Sequence, residues 1–130
     1  MTKNKDIMLK LGDFPVVPYN MILKEALEEM NKHKLGVACL VDKKNILKGI
    51  ITDGDIRRKL LNDQKPFSAF FVDDSIKHAV KKPKSLSPNK NIKDTLKMMN
   101  KNEIWDVPIV QNKKLVGLVH LHPAMKRLIK

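Results

Sequence analysis

The 130-residue sequence contains one cysteine, one tryptophan, one tyrosine and four phenylalanines, and it has no long apolar run. A lone thiol, Cys39, excludes an internal disulfide. Set within the apolar run VACLV (37–41), it reads as a buried, unreactive core residue. No stretch approaches the roughly 20 apolar residues that span a bilayer, and the opening MTKNKDIM has no apolar leader segment. A reducing cytoplasm and no membrane partner are the expectation. The scarcity of aromatics also bears on the charge, formally +12. That excess is nearly all lysine, with arginine only at Arg57, Arg58 and Arg127. The lysines run through both halves and no DNA- or RNA-binding signature accompanies them. A solvated lysine-rich surface is therefore preferred to a nucleic-acid interface. At 42% hydrophobic and 31% charged, the chain has the balance of a folded globular protein. Its length suits one domain of about 100–200 residues, or two small halves sharing a core.

What the sequence does contain is written twice. Residues 23–41, LKEALEEMNKHKLGVACLV, align without a gap on residues 92–110, IKDTLKMMNKNEIWDVPIV. Leu27 falls on Leu96, Met30 on Met99, Leu35 on Ile104 and Val41 on Val110. After one deletion, ILKGIIT (46–52) aligns on KLVGLVH (114–120), placing Gly49 on Gly117. A repeat of about 60 residues is the size of a small supersecondary unit.

Each copy follows one order. A short extended lead-in (PVV at 15–17, KSLS at 84–87) precedes a segment with apolar residues at helical spacing: Leu23, Ala26, Leu27 and Met30, then Ile92, Leu96 and Met99. A methionine stripe of this kind (Met30, Met98, Met99) is most simply core. Asn20 and Asn89 stand before these helices as cap candidates. Two β-type runs with a polar turn between them follow, VACLV to LKGIIT and VPIV to LVGLVH, and read as hairpins. Gly49 and Gly117 imply a bulge or a close backbone approach. A last helix closes each copy, from Asp55 to about Asn62 and from Pro123 to Ile129; proline suits a first helical position. The expected architecture is α/β, two tandem β-α-β-β-α repeats at 6–62 and 84–130, joined by a linker at 63–83 that packs over the sheet edges. Within the linker, a helical turn capped by Asp74 or Ser75 is expected after FSAFFV.

The stretch GIITDGDIRR (49–58) admits several chemistries. A calcium loop needs further oxygen ligands where this one turns cationic, and no nucleophile or base nominates itself for acid/base catalysis. A ligand cradle remains beside a plain helix cap. Gly54 would let a bulky group near the backbone, the helix start would attract an anion, and Arg57 or Arg58 could fork onto a phosphate or carboxylate. Against this, Asp53 and Asp55 could simply cap the helix. The cradle is preferred for Thr52 and Asp55; for Asp53 and the arginines the two readings stand level. In the second copy His120 aligns on Thr52 and His122 on Gly54, while Pro123 removes the carboxylate of Asp55. Two histidines at i, i+2 on a strand share a face, yet no acidic residue or cysteine lies near in sequence to complete a metal site. His120 or His122 is read as a donor to an anionic ligand, or as a structural strand-end residue.

A doubled unit whose second strand ends in G-h-h-T-x-x-D, here Gly49 to Asp55, resembles the cystathionine-β-synthase (CBS) domain pair, or Bateman module. The resemblance covers about residues 6–129 and implies pseudo-two-fold symmetry, with ligands in clefts between the copies. It would make Thr52 a donor to a ligand phosphate and Asp55 an acceptor for ribose hydroxyls, with Asp53, Gly54, Arg58, His120 and His122 completing the site. Trp105, aligned on Gly36, falls where such pairs often contact a base, although a core or dimer-contact indole is the preferred reading. The phrases DIM-x-x-x-GD-x-PVV (6–17), TDGDIRR (52–58) and HLH (120–122) are similar to the C-terminal region of arabinose-5-phosphate isomerases. In that family a sugar isomerase domain precedes the pair and serves Kdo and lipopolysaccharide synthesis. The implied role is a non-catalytic regulatory fragment of such a parent. It would bind a nucleotide or nucleotide-sugar (CMP-Kdo-like or an adenine nucleotide) and form a homodimer, with no other cofactor. The alternatives are the pair of a sugar nucleotidyltransferase, which also uses a TDGDxRR phrase, and a ligand-free oligomerisation module.

Overall fold

The computed structural model describes residues 1–129, which fall into two compact units. Unit one comprises residues 1–13 with the chain from Lys84 onward, and unit two comprises Phe14–Pro83.

In unit two, strand β2 (Val16–Pro18) runs parallel to β3 (Val37–Val41), which forms an antiparallel hairpin with β4 (Leu47–Thr52); the short β5 (Val80–Lys81) completes the sheet in the order β2-β3-β4-β5. Every residue of β3 is buried, so this strand reads VACLV without alternation. Helix α2 (Leu23–His33) presses its predicted stripe, Leu23, Ala26 and Met30, into a core with Val17, Ala38, Leu40 and Ile51. Lys34 ends it in the left-handed region at φ 54°, with the Leu35 N–H returning to the Met30 carbonyl. Cys39 is buried as expected. Helix α3 (Asp53–Asn62) follows β4 directly, and α4 (Phe67–Phe71) and a 3-10 turn (Ser75–His78) lead to β5.

Unit one repeats the plan. Helix α5 (Ile92–Asn102) buries Ile92, Thr95 and Met99 and ends on Glu103 at φ 54°. The hairpin of β6 (Asp106–Gln111) and β7 (Lys114–His120) then runs into α6 (Leu121–Ile129). The lead-in KSLS provides a single parallel bridge, Leu86 to Ile109. The third strand comes from the start of the chain: α1 (Asn4–Ile7) precedes β1 (Leu9–Lys10), which pairs antiparallel with β7.

This pairing cuts across the order of the repeats in the chain. Residues 6–13 lead into the first repeat, yet β1 pairs with the second. Residues 63–83, the segment joining the repeats, pack on the first one, with α4 and the 3-10 turn leading to β5 along its sheet edge. The two additions are equivalent. Lys81 faces Gly49 and Val80 faces Ile50, as Lys10 faces Gly117 and Leu9 faces Leu118. Their preceding turns match too: the Leu23 N–H bonds the Asp73 carbonyl, and the Ile92 N–H bonds the Thr2 carbonyl. A hairpin alone leaves an unpaired outer edge, and each repeat takes the segment in front of the other to cover it.

The two glycines make the cover possible. A Cβ on Gly117 would lie 2.9 Å from the Leu9 carbonyl oxygen, and one on Gly49 would lie 3.0 Å from that of Val80. The close approach expected there is observed, while the irregularity falls opposite, at Leu40/Val41 and Ile109/Val110. The cap candidates Asn20 and Asn89 are displaced: Ile22 precedes α2 without a side-chain cap, whereas Asn91 caps α5 by accepting from the Lys93 N–H. Asp74 precedes the 3-10 turn, also without a side-chain cap.

Candidate functional site

Strand β4 ends at Thr52 and α3 begins at Asp53, two residues earlier than the predicted Asp55. The early start follows from a reciprocal cap. The Asp55 N–H bonds Thr52 Oγ1 at 3.3 Å, and Asp55 Oδ2 accepts from the Thr52 N–H at 3.0 Å and its hydroxyl at 2.9 Å. Threonine and a carboxylate three residues apart satisfy two otherwise open groups of a helix start. Arg58, one turn on, donates from Nη2 to Asp55 Oδ1 at 2.8 Å. The Asp55 side chain is largely covered and the Arg58 guanidinium is mostly exposed.

Gly54 lies beneath the Arg58 guanidinium. A Cβ there would stand 3.2 Å from Arg58 Nη1, so glycine leaves room for the guanidinium to fold back over the helix start. Asp53 is exposed, and its carboxylate lies over Gly36, where a Cβ would meet Oδ2 at 2.3 Å. It borders a polar groove that includes Asn31, Lys34 and Gly36. Thr52, Gly54, Asp55 and Arg58 thus form one cluster, with Asp53 beside it. Arg57 is exposed and points to a different groove, shared with Leu61 and Phe67.

The equivalent end of unit one carries different chemistry. His120 closes β7, and its Nδ1 hydrogen-bonds the Asp106 carboxylate directly across the hairpin. Asp106 is well covered and His120 about four-fifths so. Donation of a hydrogen bond to Asp106 raises the His120 pKa, opposed by burial, which disfavours the charged ring. His122 is not on the strand. It sits exposed in the first turn of α6, so the i, i+2 geometry expected for the two histidines does not form. Pro123 is the third residue of α6 rather than the first.

Asp106, the partner of His120, is the residue of this strand end that the sequence reading missed. It lies 14 positions from His120, and only the hairpin register places the two face to face. The available signal was the alignment of Asp106 on Val37, an acidic residue where the other copy has an apolar one. Among the described residues, no three His, Cys, Asp or Glu side chains gather as a metal site. Trp105 follows the repeat at the backbone, where the Leu121 N–H bonds its carbonyl as the Asp53 N–H bonds that of Gly36. Its side chain is 66% exposed, so it is not a core indole.

The family model of the CBS domain matches residues 5–62 and 74–122. The chain belongs to the CBS domain family. Among curated relatives, an uncharacterized protein of Rickettsia prowazekii is 32% identical over 128 residues, covering 96% of this chain and 37% of the relative. The arabinose 5-phosphate isomerase KdsD of Francisella tularensis is 31% identical over 129 residues, covering 95% of this chain and 37% of the isomerase. The chain therefore spans little more than a third of the length of such relatives. Among solved structures, the CBS domain pair of protein MJ0100, in complex with 5′-methylthioadenosine and S-adenosylmethionine, aligns with a TM-score of 0.79. It is 25% identical, and the match covers 99% of this chain and 96% of that one. CBSX2, solved with AMP, aligns at a TM-score of 0.86 with 18% identity, over 99% of this chain and 97% of that one, and shows the fold alone. The α/β CBS-pair fold expected from the repeat is the fold observed. No helix among the described residues is long and apolar enough to cross a membrane.

Proposed function

We propose that this CBS pair is a regulatory module that binds an adenine nucleotide or a nucleotide-sugar, with the clustered Thr52, Asp55 and Arg58 as the principal contacts. The arrangement of these three residues at the start of α3 carries the reading. The exposed guanidinium of Arg58 retains N–H groups for a phosphate, and the helix start adds a positive dipole end. A ribose diol can displace the Thr52 hydroxyl from Asp55 Oδ2 and free that hydroxyl for the ligand. Asp53 and Gly54 shape this site, and His120 and His122 are assigned to a second, weaker anion contact on unit one. The nucleoside complex of the MJ0100 pair supports the ligand class.

The finer assignment is to a parent of the arabinose-5-phosphate isomerase type, with CMP-Kdo as the candidate nucleotide-sugar; the KdsD relatives support it. Catalysis would then belong to the sugar isomerase domain of the parent. Ligand would act by binding one conformation of that parent more tightly than another. The apolar residues left exposed on α6, Met125, Leu128 and Ile129, support a homodimer.

Calorimetric titration with AMP, ATP, CMP and CMP-Kdo tests the reading. Saturable heat is expected with at least one, and Asp55→Ala should weaken that binding about 10-fold or more, the worth of hydrogen bonds to a charged group. No heat with any of the four at millimolar concentration would overturn the ligand class. Unchanged affinity in Asp55→Ala would remove this cluster from the site.

A further inference from the structure

The four histidines of the chain differ in what stands against Nδ1. In His33 it is the Glu29 backbone carbonyl at 3.1 Å, and in His78 nothing. His122 is exposed, and among the described residues no partner meets its ring. Only in His120 does a carboxylate, that of Asp106, stand against Nδ1.

The two carboxylate-bonded rings also differ in access. His78, whose Nε2 lies 2.9 Å from Asp73, has a side chain 1% exposed. Its Nδ1 is the one buried side-chain nitrogen or oxygen among the described residues without a hydrogen-bond partner. Nε2 of His120 takes no hydrogen bond either, yet it is not among such buried atoms, so solvent reaches it. The His120 side chain is 19% exposed, while that of Asp106 is 8% exposed.

This geometry is suited to a nucleophile. The Asp106 carboxylate accepts from Nδ1–H, which places the lone pair of the neutral ring on Nε2. When Nε2 forms a bond the ring gains positive charge, and the fixed carboxylate offsets it. We infer that His120 Nε2 accepts a phosphoryl group from a small activated donor, a phosphoramidate or an acyl phosphate. Nε2 attacks phosphorus while the P–N or P–O bond to the leaving group breaks. The nitrogen departs as ammonia with the protons it already carries, or the acyl oxygen departs as a carboxylate. The product is an Nε2-phosphoryl imidazolium whose Nδ1–H is still donated to Asp106. His120 serves the nucleotide reading as a weak anion contact, but the inference stands without that reading, because neither donor carries a nucleoside.

Potassium phosphoramidate is the probe, with the 130-residue chain in mildly alkaline buffer to favour the neutral ring. Phosphorus NMR and peptide mapping by mass spectrometry should find phosphohistidine at Nε2 of His120. It should form about tenfold faster there than on His122, the exposed reference in the same molecule. In urea the two should react alike. His120→Gln should remove the signal. Asp106→Asn should slow reaction at His120 about tenfold, the worth of one hydrogen bond to a charged group. If that variant does not fold, the ratio of folded to unfolded rates in the parent chain decides. Absence of phosphohistidine at His120, or equal rates on His120 and His122 in the folded chain, overturns the site. A preference that persists in urea, phosphate on Nδ1, or an unchanged rate in folded Asp106→Asn overturns the part given to Asp106.

Discussion

His120 hydrogen-bonds Asp106 straight across the β6–β7 hairpin, at the register position where Thr52 faces Val37 across β3–β4. One repeat thus ends its second strand with a neutral hydroxyl that caps the next helix. The other ends with a titratable ring held by a carboxylate. Pseudo-equivalent backbones carry unlike chemistry at the same point, because side chains at paired positions can change while the ladder of backbone hydrogen bonds does not.

The first prediction concerns pH. The hydrogen bond to Asp106 raises the His120 pKa above 6.5 in the folded protein. A raised folded value means that the pair stabilises fully below the unfolded value and loses its effect as pH climbs through the folded one. Asp106→Asn should cost about 1 kcal/mol near about pH 6 and progressively less toward about pH 9. Urea denaturation across that range, with an NMR titration of the His120 ring, reads both quantities. A cost that does not vary with pH would show that the pair is not charged.

A second prediction tests the exchanged edge strands. In Gly117→Ala the new methyl meets the Leu9 carbonyl at 2.9 Å and Met8 Sδ at 2.4 Å. Met8 can turn aside, but the paired backbone of β1 cannot do so without losing its bonds to β7. Destabilisation of about 1–3 kcal/mol is expected, with faster hydrogen exchange at Leu9 and Lys10. Protection unchanged at those two amides would mean that the sheet yields elsewhere.

The third isolates the helix cap from the ligand site. Thr52→Ala removes the oxygen that accepts from the Asp55 N–H and should lower stability by about 1 kcal/mol, whereas Thr52→Ser should come close to the parent. Measured without ligand by denaturant unfolding, this sets the structural worth of the hydroxyl. Any loss of nucleotide affinity in Thr52→Ser then reports on the missing methyl and its packing alone.

Periodicity made much of this molecule legible. The stripe through Leu23, Ala26 and Met30, the hairpins around VACLV and VPIV, and the close-approach glycines all appear where spacing and residue type put them. The reach of residues 6–13 was not legible. A strand of two residues carries almost no pattern, and its partner lies more than 100 positions away. The candidate site divides in the same way. The cap uniting Thr52 and Asp55 is a contact between near neighbours; a capping role was legible for Asp55, whereas Thr52, not Asp53, is its partner in the cap. The Asp106 partner of His120 depended on hairpin register, and the place of His122 on whether strand or helix claimed it.

By itself the sequence determined the repeat, the element order within it and the chemical inventory at the two strand ends, because these follow from side-chain periodicity and from contacts within a few residues. Tertiary structure alone decided which segment covers which sheet, that Gly54 serves Arg58, and that His78 is buried with one nitrogen unanswered. Those outcomes depend on distance between residues remote in the chain, and local preference does not encode it.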